Sequence, residues 1–199
     1  LYPALSGSYT VGGVLPDFNL FSQVQNALGY GGILGDVIFN IRNGTYATQL
    51  LIEDFPRTSA AHNVTFTSEE GDSSLVNLIR NFNASDANNY TVRLKDAHGI
   101  RFEHITLAST KGRVIELKDG ASDIQINNCN ITGVEVSNGT NPYQLVYSGT
   151  TTEDSVLISN NRFEYGNDGI YMNASSGDPE QNVRILNNVF FNCYTQAIY

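Results

Sequence analysis

The sequence predicts an all-β solenoid, closed at its N-terminal end by a short helix, and three observations carry that reading. One eight-residue pattern recurs along the chain, a short alternating strand signal precedes each copy, and a single stretch of helical periodicity stands ahead of them all.

The helical stretch comes first. "LSGSYTVGG" reads as a Gly-rich strand and turn, and "PDFNLFSQVQNAL" then places Phe18, Phe21, Val24, Ala27 and Leu28 near one face at helical spacing. Asp17 is the expected N-cap, and Gly29 with the "GYGG" run ends the helix. The first coil of a solenoid exposes its hydrophobic end unless something covers it. Residues 1–30 therefore read as a strand and capping helix, and residues 31–199 as the solenoid.

The recurring pattern is apolar, any, apolar, any, Asn, Asn, any, apolar. It reads "IQINNCNI" from Ile124, "VLISNNRF" from Val156 and "VRILNNVF" from Val183, with a looser copy, "IRFEHITL", from Ile100. Val64 and Phe66 in "NVTFTSEE" open one copy more. From Ile100 onward the starts lie 24, 32 and 27 residues apart, an irregular period within the range of solenoid coils. A second strand signal precedes each copy: "TVRLKD", "VIELKDG", "YQLVYSG" and "GIYMNAS", with "AIY" at the end. Each repeat thus carries at least two short strands.

Alternation sends the apolar slots inward and the residues between them to water. The Asn pair falls where the chain must turn. Asparagine tolerates the left-handed conformation of a sharp corner, and its amide bonds to backbone on either side. The second Asn of each pair, Asn161 and Asn188, is expected to point inward and form a ladder through successive coils, with Cys129 in the same slot as a small hydrophobe. Cys193 lies beyond the third copy, so Cys129 and Cys193 are expected to be buried free thiols, too far apart for a disulfide.

Composition sets limits. The 199 residues include 18 Gly, 11 Tyr, 10 Phe and no Trp, with 41% hydrophobic and 16% charged, enough for one sizeable core and too apolar for disorder. Net charge is −9, and the 11 basic residues are scattered, which argues against nucleic acid as a partner. No apolar run approaches the roughly 18 residues of a membrane span, and no leader is recognisable at Leu1.

The order of amphipathic helix, "GDVIFNIRNGTY" and repeated "I-x-I-x-N-N-x-F" strands resembles a right-handed parallel β-helix of the pectin-lyase-like kind. The opening "LSGSYTVGG…PDFNLFSQVQNAL", with "VIFNIRNGTYATQLLIEDFP" and "NVTFTSEEGDSSLV", also resembles modules of very large secreted surface proteins of the Bacteroidota. That resemblance implies export by the type IX secretion system and an extracellular place on the cell surface. It specifies fold and context, and leaves activity open.

Pectin-lyase-like enzymes use carboxylates, Arg or Lys, and often calcium on one outward strand face. The outward slots of the second strand read Arg93, Glu116, Val146, Tyr171 and Tyr199, a column with one acid and no pair. "NDG" at Asn167 to Gly169 and "AHG" at Ala97 to Gly99 are read as turns. His62, His98 and His104 lack metal-ligand spacing. No cofactor is expected, Asp119 and Asp123 at one turn being the only weak calcium candidates. Tyr171 and Tyr199 on neighbouring coils are read as an aromatic platform for a glycan, and Arg93 with Glu116 as a pair across coils. Asn43, Asn63, Asn83, Asn89, Asn130, Asn138 and Asn173 head Asn-x-Ser/Thr triplets, and Ser155 in "DSV" matches the acceptor of Bacteroidota O-glycosylation.

The expected function is a non-catalytic structural or adhesive β-helix module of a larger surface protein, contacting glycans. The alternative is a lyase or hydrolase of acidic polysaccharides. Because "AIY" stops within a strand, the β-helix is expected to continue past Tyr199 or to be covered there by a partner chain.

Overall fold

A computed structural model describes residues 2–57, 59–81, 88–137, 142–149, 153–174, 177 and 179–199. The chain winds through three parallel sheets and gives each a strand in turn. Sheet A holds Leu5–Val11, Ile33–Ile41, Val64–Ser68, Ile100–Glu103, Ser122–Asn127, Asp154–Ser159 and Arg184–Leu186. Sheet B holds Gly44–Ala47, Val76–Arg80, Thr106–Ser109, Asn130–Thr132, Arg162–Glu164 and Val189–Phe191. Sheet C holds Leu50–Glu53, Tyr90–Lys95, Arg113–Lys118, Val146–Ser148, Asp168–Met172 and Gln196–Ile198. The architecture is a parallel β-helix of three-stranded coils. Each Asn-Asn pattern spans a sheet A strand, a corner and a sheet B strand, while the second strand signal is sheet C. Strands of three residues, such as Asn130–Thr132, are too short for alternation alone to separate from the corner beside them.

Register puts like over like inside the coil. In sheet A, Phe39, Phe66, Phe102, Ile126, Ile158 and Ile185 form one column. The first three are fully buried phenylalanines stacked at 5.1 and 5.2 Å. Sheet B contributes Leu78, Leu107, Ile131, Phe163 and Phe190, with Phe163 and Phe190 stacked at 4.8 Å. Sheet C contributes Leu50, Val92, Ile115, Val146 and Ile170. No coil has a core alone; the columns are the core.

The two asparagines of each pair divide the corner between them. The first takes the left-handed conformation: φ is 54° at Asn128, 56° at Asn160 and 55° at Asn187, with His104 at 52° in the looser copy. The second turns inward. Asn161 Oδ1 accepts from the Cys129 amide at 2.9 Å, and its Nδ2 donates to Ile126 O at 2.7 Å and to Asn188 Oδ1 at 3.0 Å. Asn188 repeats the geometry one coil on, accepting from the Asn161 amide at 2.9 Å and donating to Ile158 O at 2.8 Å. Buried backbone groups at the corner thus find partners on the neighbouring coil.

At the N-terminal end, Leu5–Val11 pairs in parallel with Ile33–Ile41 and so forms the first rung of sheet A. Helix Phe21–Asn26 buries Phe21 and Val24, then widens into a π-helical turn, Ala27–Gly31, that buries Ala27 and Leu28. Asp17 does not cap it. Its carboxylate accepts from the Thr10 amide and hydroxyl at 2.7 and 2.8 Å, and those bonds hold its pKa below the usual range. The amides of Asn19 and Leu20 go instead to Gln23 Oε1, at 2.8 and 3.1 Å. A capping side chain must lie next to the first helical turn, and Asp17 is four residues ahead of it, on the side of the first strand.

The thiols are free. Cys129 is fully buried, and desolvation pushes its pKa up to about 12. Cys193 is half-buried rather than buried, because it follows the short strand Val189–Phe191, whose Val189 and Phe191 are themselves exposed; its pKa is raised to about 11 by desolvation and then by Asp168. Leu186, Val189, Phe191, Ile198 and Tyr199 of the last rung are exposed. No helix among the described residues is long and apolar enough to cross a membrane.

Candidate binding face

The outward column of sheet C runs Leu51, Arg93, Glu116, Tyr147 and Tyr171 in register, with Tyr199 stacked on Tyr171. The structure brings Arg93, Glu116, Tyr171 and Tyr199 together, but Val146 does not belong with them. Val146 is fully buried between Ile115 and Ile170, and Tyr147 takes the outward slot. The phase was illegible because Leu145 and Val146 are adjacent apolar residues and both are buried. Leu145 fills a corner where a side chain on Gly133 or Gly166 would collide with it.

Glu116, almost wholly buried, receives Arg93 Nε–H on one carboxylate oxygen and Arg113 Nη1–H on the other. Arg93 also donates to Asn88 Oδ1 at 3.1 Å, and its guanidinium lies 3.8 Å over the Tyr90 ring. The Arg113 guanidinium lies 3.4 Å over Tyr147. Arg113 was missed because it begins its strand and reaches the face from the corner, out of phase with strict alternation. Counting Lys95, bonded to Glu53 at 2.9 Å, and Lys118, two adjacent strands carry four of the chain's eleven basic residues. The cations are not scattered in space. Glu53 and Glu116 are the acids within these strands, and Asp96 and Asp119 follow Lys95 and Lys118 at the corner, close enough to act on Lys95, so the cations are gathered on this face beside nearly balancing acids.

The tyrosines stack face to face. Tyr147 and Tyr171 centroids are 5.4 Å apart at 11°, and those of Tyr171 and Tyr199 are 4.6 Å apart at 5°. Arg113 covers one face of Tyr147, and the stacked rings cover one another. A sugar ring lies on an open aromatic face; between the stacked rings what the column presents is phenol edges and hydroxyls.

The remaining candidates lie elsewhere. Ser155 has φ 56° and, half-buried, lines a shallow groove on sheet A with Asp123, Gln125 and Asn182. Asp119 and Asp123 are exposed left-handed corner residues at φ 56° and 52°. Among the described residues no three of His, Cys, Asp and Glu converge as metal ligands would. His98 Nδ1 bonds Ser122 Oγ at the corner after Asp96. Asn167 and Asp168 are buried, because "NDG" opens a sheet C strand instead of forming an exposed turn. Of the Asn-x-Ser/Thr positions, Asn63 and Asn130 have their amides engaged, donating to Ala61 O and Ser73 Oγ, while Asn83 and Asn138 lie outside the described residues.

Beside the tyrosine column, Ser148 Oγ contacts Glu153 Oε2 and, at 2.9 Å, Glu180 Oε1. One hydroxyl has one proton and two carboxyl oxygens to satisfy, so the arrangement favours a proton on a carboxyl. Burial raises the Glu180 pKa, the Ser148 bond opposes it, and Glu153 and Asp154 raise it further. A raised carboxyl pKa stabilises the fold at pH below the ordinary glutamate value, and that contribution is lost as pH rises through the folded pKa. Glu180→Gln, which mimics the protonated form, should therefore melt above wild type at pH 7, with the gap closing towards pH 4. Thermal melts across that range will check this; parallel curves would contradict it.

The family described as right handed beta helix region matches residues 66–199, and the chain belongs to it. Similar solved structures include two of the pectin methylesterase from Aspergillus niger. The penultimately deglycosylated form matches at 20% identity and a TM-score of 0.66, over 96% of this chain and 58% of that one. The deglycosylated form matches at 20% identity and 0.61, over 94% and 59%. This likeness establishes the pectin-lyase-like fold, and the chain spans less than two thirds of that enzyme. No curated protein matches the sequence.

Proposed function

We propose that this chain is a non-catalytic, extracellular adhesive or structural β-helix module of a larger surface protein, and that the outer face of sheet C holds acidic polysaccharide. One observation carries the reading: Glu116, the only carboxylate in the outward column, is bound by two guanidiniums. Glycoside hydrolysis needs two carboxylates across a groove, about 5–9.5 Å apart. Here the one acid of the column is already neutralised, and the cations gathered on this face, Arg93, Arg113, Lys95 and the exposed Lys118, are the groups that would meet uronates. Tyrosine hydroxyls continue the strip along the solenoid.

The pectin methylesterase likeness supports a polysaccharide partner, and the N-terminal resemblance to Bacteroidota surface modules supports type IX export. In that setting Ser155, half-buried near the start of its sheet A strand, is the position for O-glycosylation, and the exposed Leu186, Val189, Phe191 and Ile198 are where a partner chain docks. Titration of the purified chain with polygalacturonate and with a neutral glucan tests the proposal. Polygalacturonate alone should bind, more weakly as salt rises, and Arg93→Ala with Arg113→Ala should weaken it by about tenfold or more. Reproducible release of unsaturated products, reducing ends or methanol would establish a lyase, hydrolase or esterase instead.

A further inference from the structure

A groove of about 320 Å³ lies between the cap and the first strand of sheet C. Its size is at the lower end of the range, about 300–1,000 Å³, of sites that hold small ligands. Leu28, Ile52 and Phe55 form a buried apolar floor. The π-helical turn Ala27–Gly31 shapes one wall, and such widened turns recur at functional sites.

The polar groups around that floor have a particular chemistry. Gln25 is fixed by a 2.9 Å bond from its Nε2 to Leu51 O, and its Oε1 accepts nothing among the described residues. Asn26 adds an exposed carboxamide. Glu53 and Asp54 stand on the strand side, the first bonded to Lys95 and the second 3.8 Å from Arg57; a carboxylate has about four acceptor sites, so both keep capacity. Tyr30 is 76% exposed, yet its ring stacks on Tyr2 at 5.9 Å and 20°, which holds it in place at the rim. No Lys or Arg lines the groove.

Fixed amides, carboxylate acceptors, an anchored aromatic ring and an apolar floor together suit a ring that has both hydroxyls and a C–H face. Both carboxylates are ion-paired and no cation lines the groove, so nothing there recruits an anion. We propose that this groove binds one uncharged pyranose ring and forms the end of the sheet C face. Leu51, on its wall, is the register partner of Arg93, so a chain lying along the cationic column reaches the groove with its terminal residue. The second half of the proposal rests on the polysaccharide reading of sheet C; the first half does not.

Gly29 supplies the test. It lines the groove, and a Cβ built on it meets nothing within 4 Å, so a side chain can start there without a backbone clash and extend into the groove. Amide resonances of the full 199-residue chain are followed during titration with methyl galactoside, methyl glucoside, methyl mannoside and, separately, galacturonate. At least one neutral glycoside should shift amides in residues 25–30 and 51–55, and galacturonate should not. Gly29→Phe should weaken that binding about tenfold or more, and Tyr30→Ala about fivefold, with denaturation midpoints unchanged. Arg93→Ala with Arg113→Ala should leave it intact, which separates failure of this site from failure of the cationic face. The proposal is overturned if no neutral glycoside shifts those amides, if Gly29→Phe binds as wild type does, or if galacturonate shifts them equally.

Discussion

Phe66→Ala is expected to cost about 3–5 kcal/mol, a large share of the 5–15 kcal/mol, roughly, that holds a typical domain folded. Phe66 is fully buried, its ring stacked between Phe39 at 5.1 Å and Phe102 at 5.2 Å. Removing it forfeits the transfer free energy of the ring and leaves a cavity between two other rings. The cavity cannot close, because strand pairing fixes neighbouring coils about 4.8 Å apart along the axis whatever side chains lie between. Phe66→Leu keeps most of the volume and should cost less than about 1.5 kcal/mol. Phe191, on the last rung and 38% exposed, provides the contrast: Phe191→Ala should cost under about 1 kcal/mol. Urea denaturation measures all three, as midpoint shifts at constant slope. Equal losses at Phe66 and Phe191 would mean that the aromatic column is not the core.

That column shows what alternation makes legible. Phe66, Phe102 and Ile126 each sit two residues from another apolar residue and are flanked by polar ones, so their inward phase could be read directly. Where both neighbours are apolar the phase is lost, as at Leu145 and Val146, and the outward column was misread by one residue there. Asp17 and "NDG" failed for a related reason. Both have turn chemistry, but Asp17 was drawn to Thr10 by the first rung, and Asp168 was absorbed into a strand by pairing with the coils on either side. Such contacts join residues far apart in sequence, and local preference does not encode them. The candidate face was half legible. Arg93, Glu116, Tyr171 and Tyr199 follow from spacing, whereas Arg113 enters from a corner and the face-to-face closure of the tyrosines is set by register. The groove under the cap had no sequence signal, since helix and strand contribute to it separately.

Adjacent asparagines with identical chemistry should respond to the same change by different amounts and for different reasons. Asn161→Ala should cost about 2–4 kcal/mol, because it strands the Cys129 N–H and the Ile126 carbonyl inside the coil and removes a donor from Asn188 Oδ1. Asn161→Asp should do no better. It can still accept from Cys129, but it has nothing to donate to Ile126 and sets a carboxylate against Asn188 Oδ1. Asn160 is exposed and contributes its backbone, at φ 56°. Asn160→Ala should therefore cost only about 1 kcal/mol, the penalty of a Cβ in the left-handed region, and Asn160→Gly should fall within about 0.5 kcal/mol of wild type. Amide exchange separates the mechanisms as well as the magnitudes. The Cys129 amide should lose protection in Asn161→Ala by more than the global loss of stability accounts for, and Asn160→Ala should lower protection only in proportion to stability. If the two alanine variants lost equal stability, or Cys129 kept its protection in Asn161→Ala, the bonds drawn through this corner would not be what holds one coil to the next.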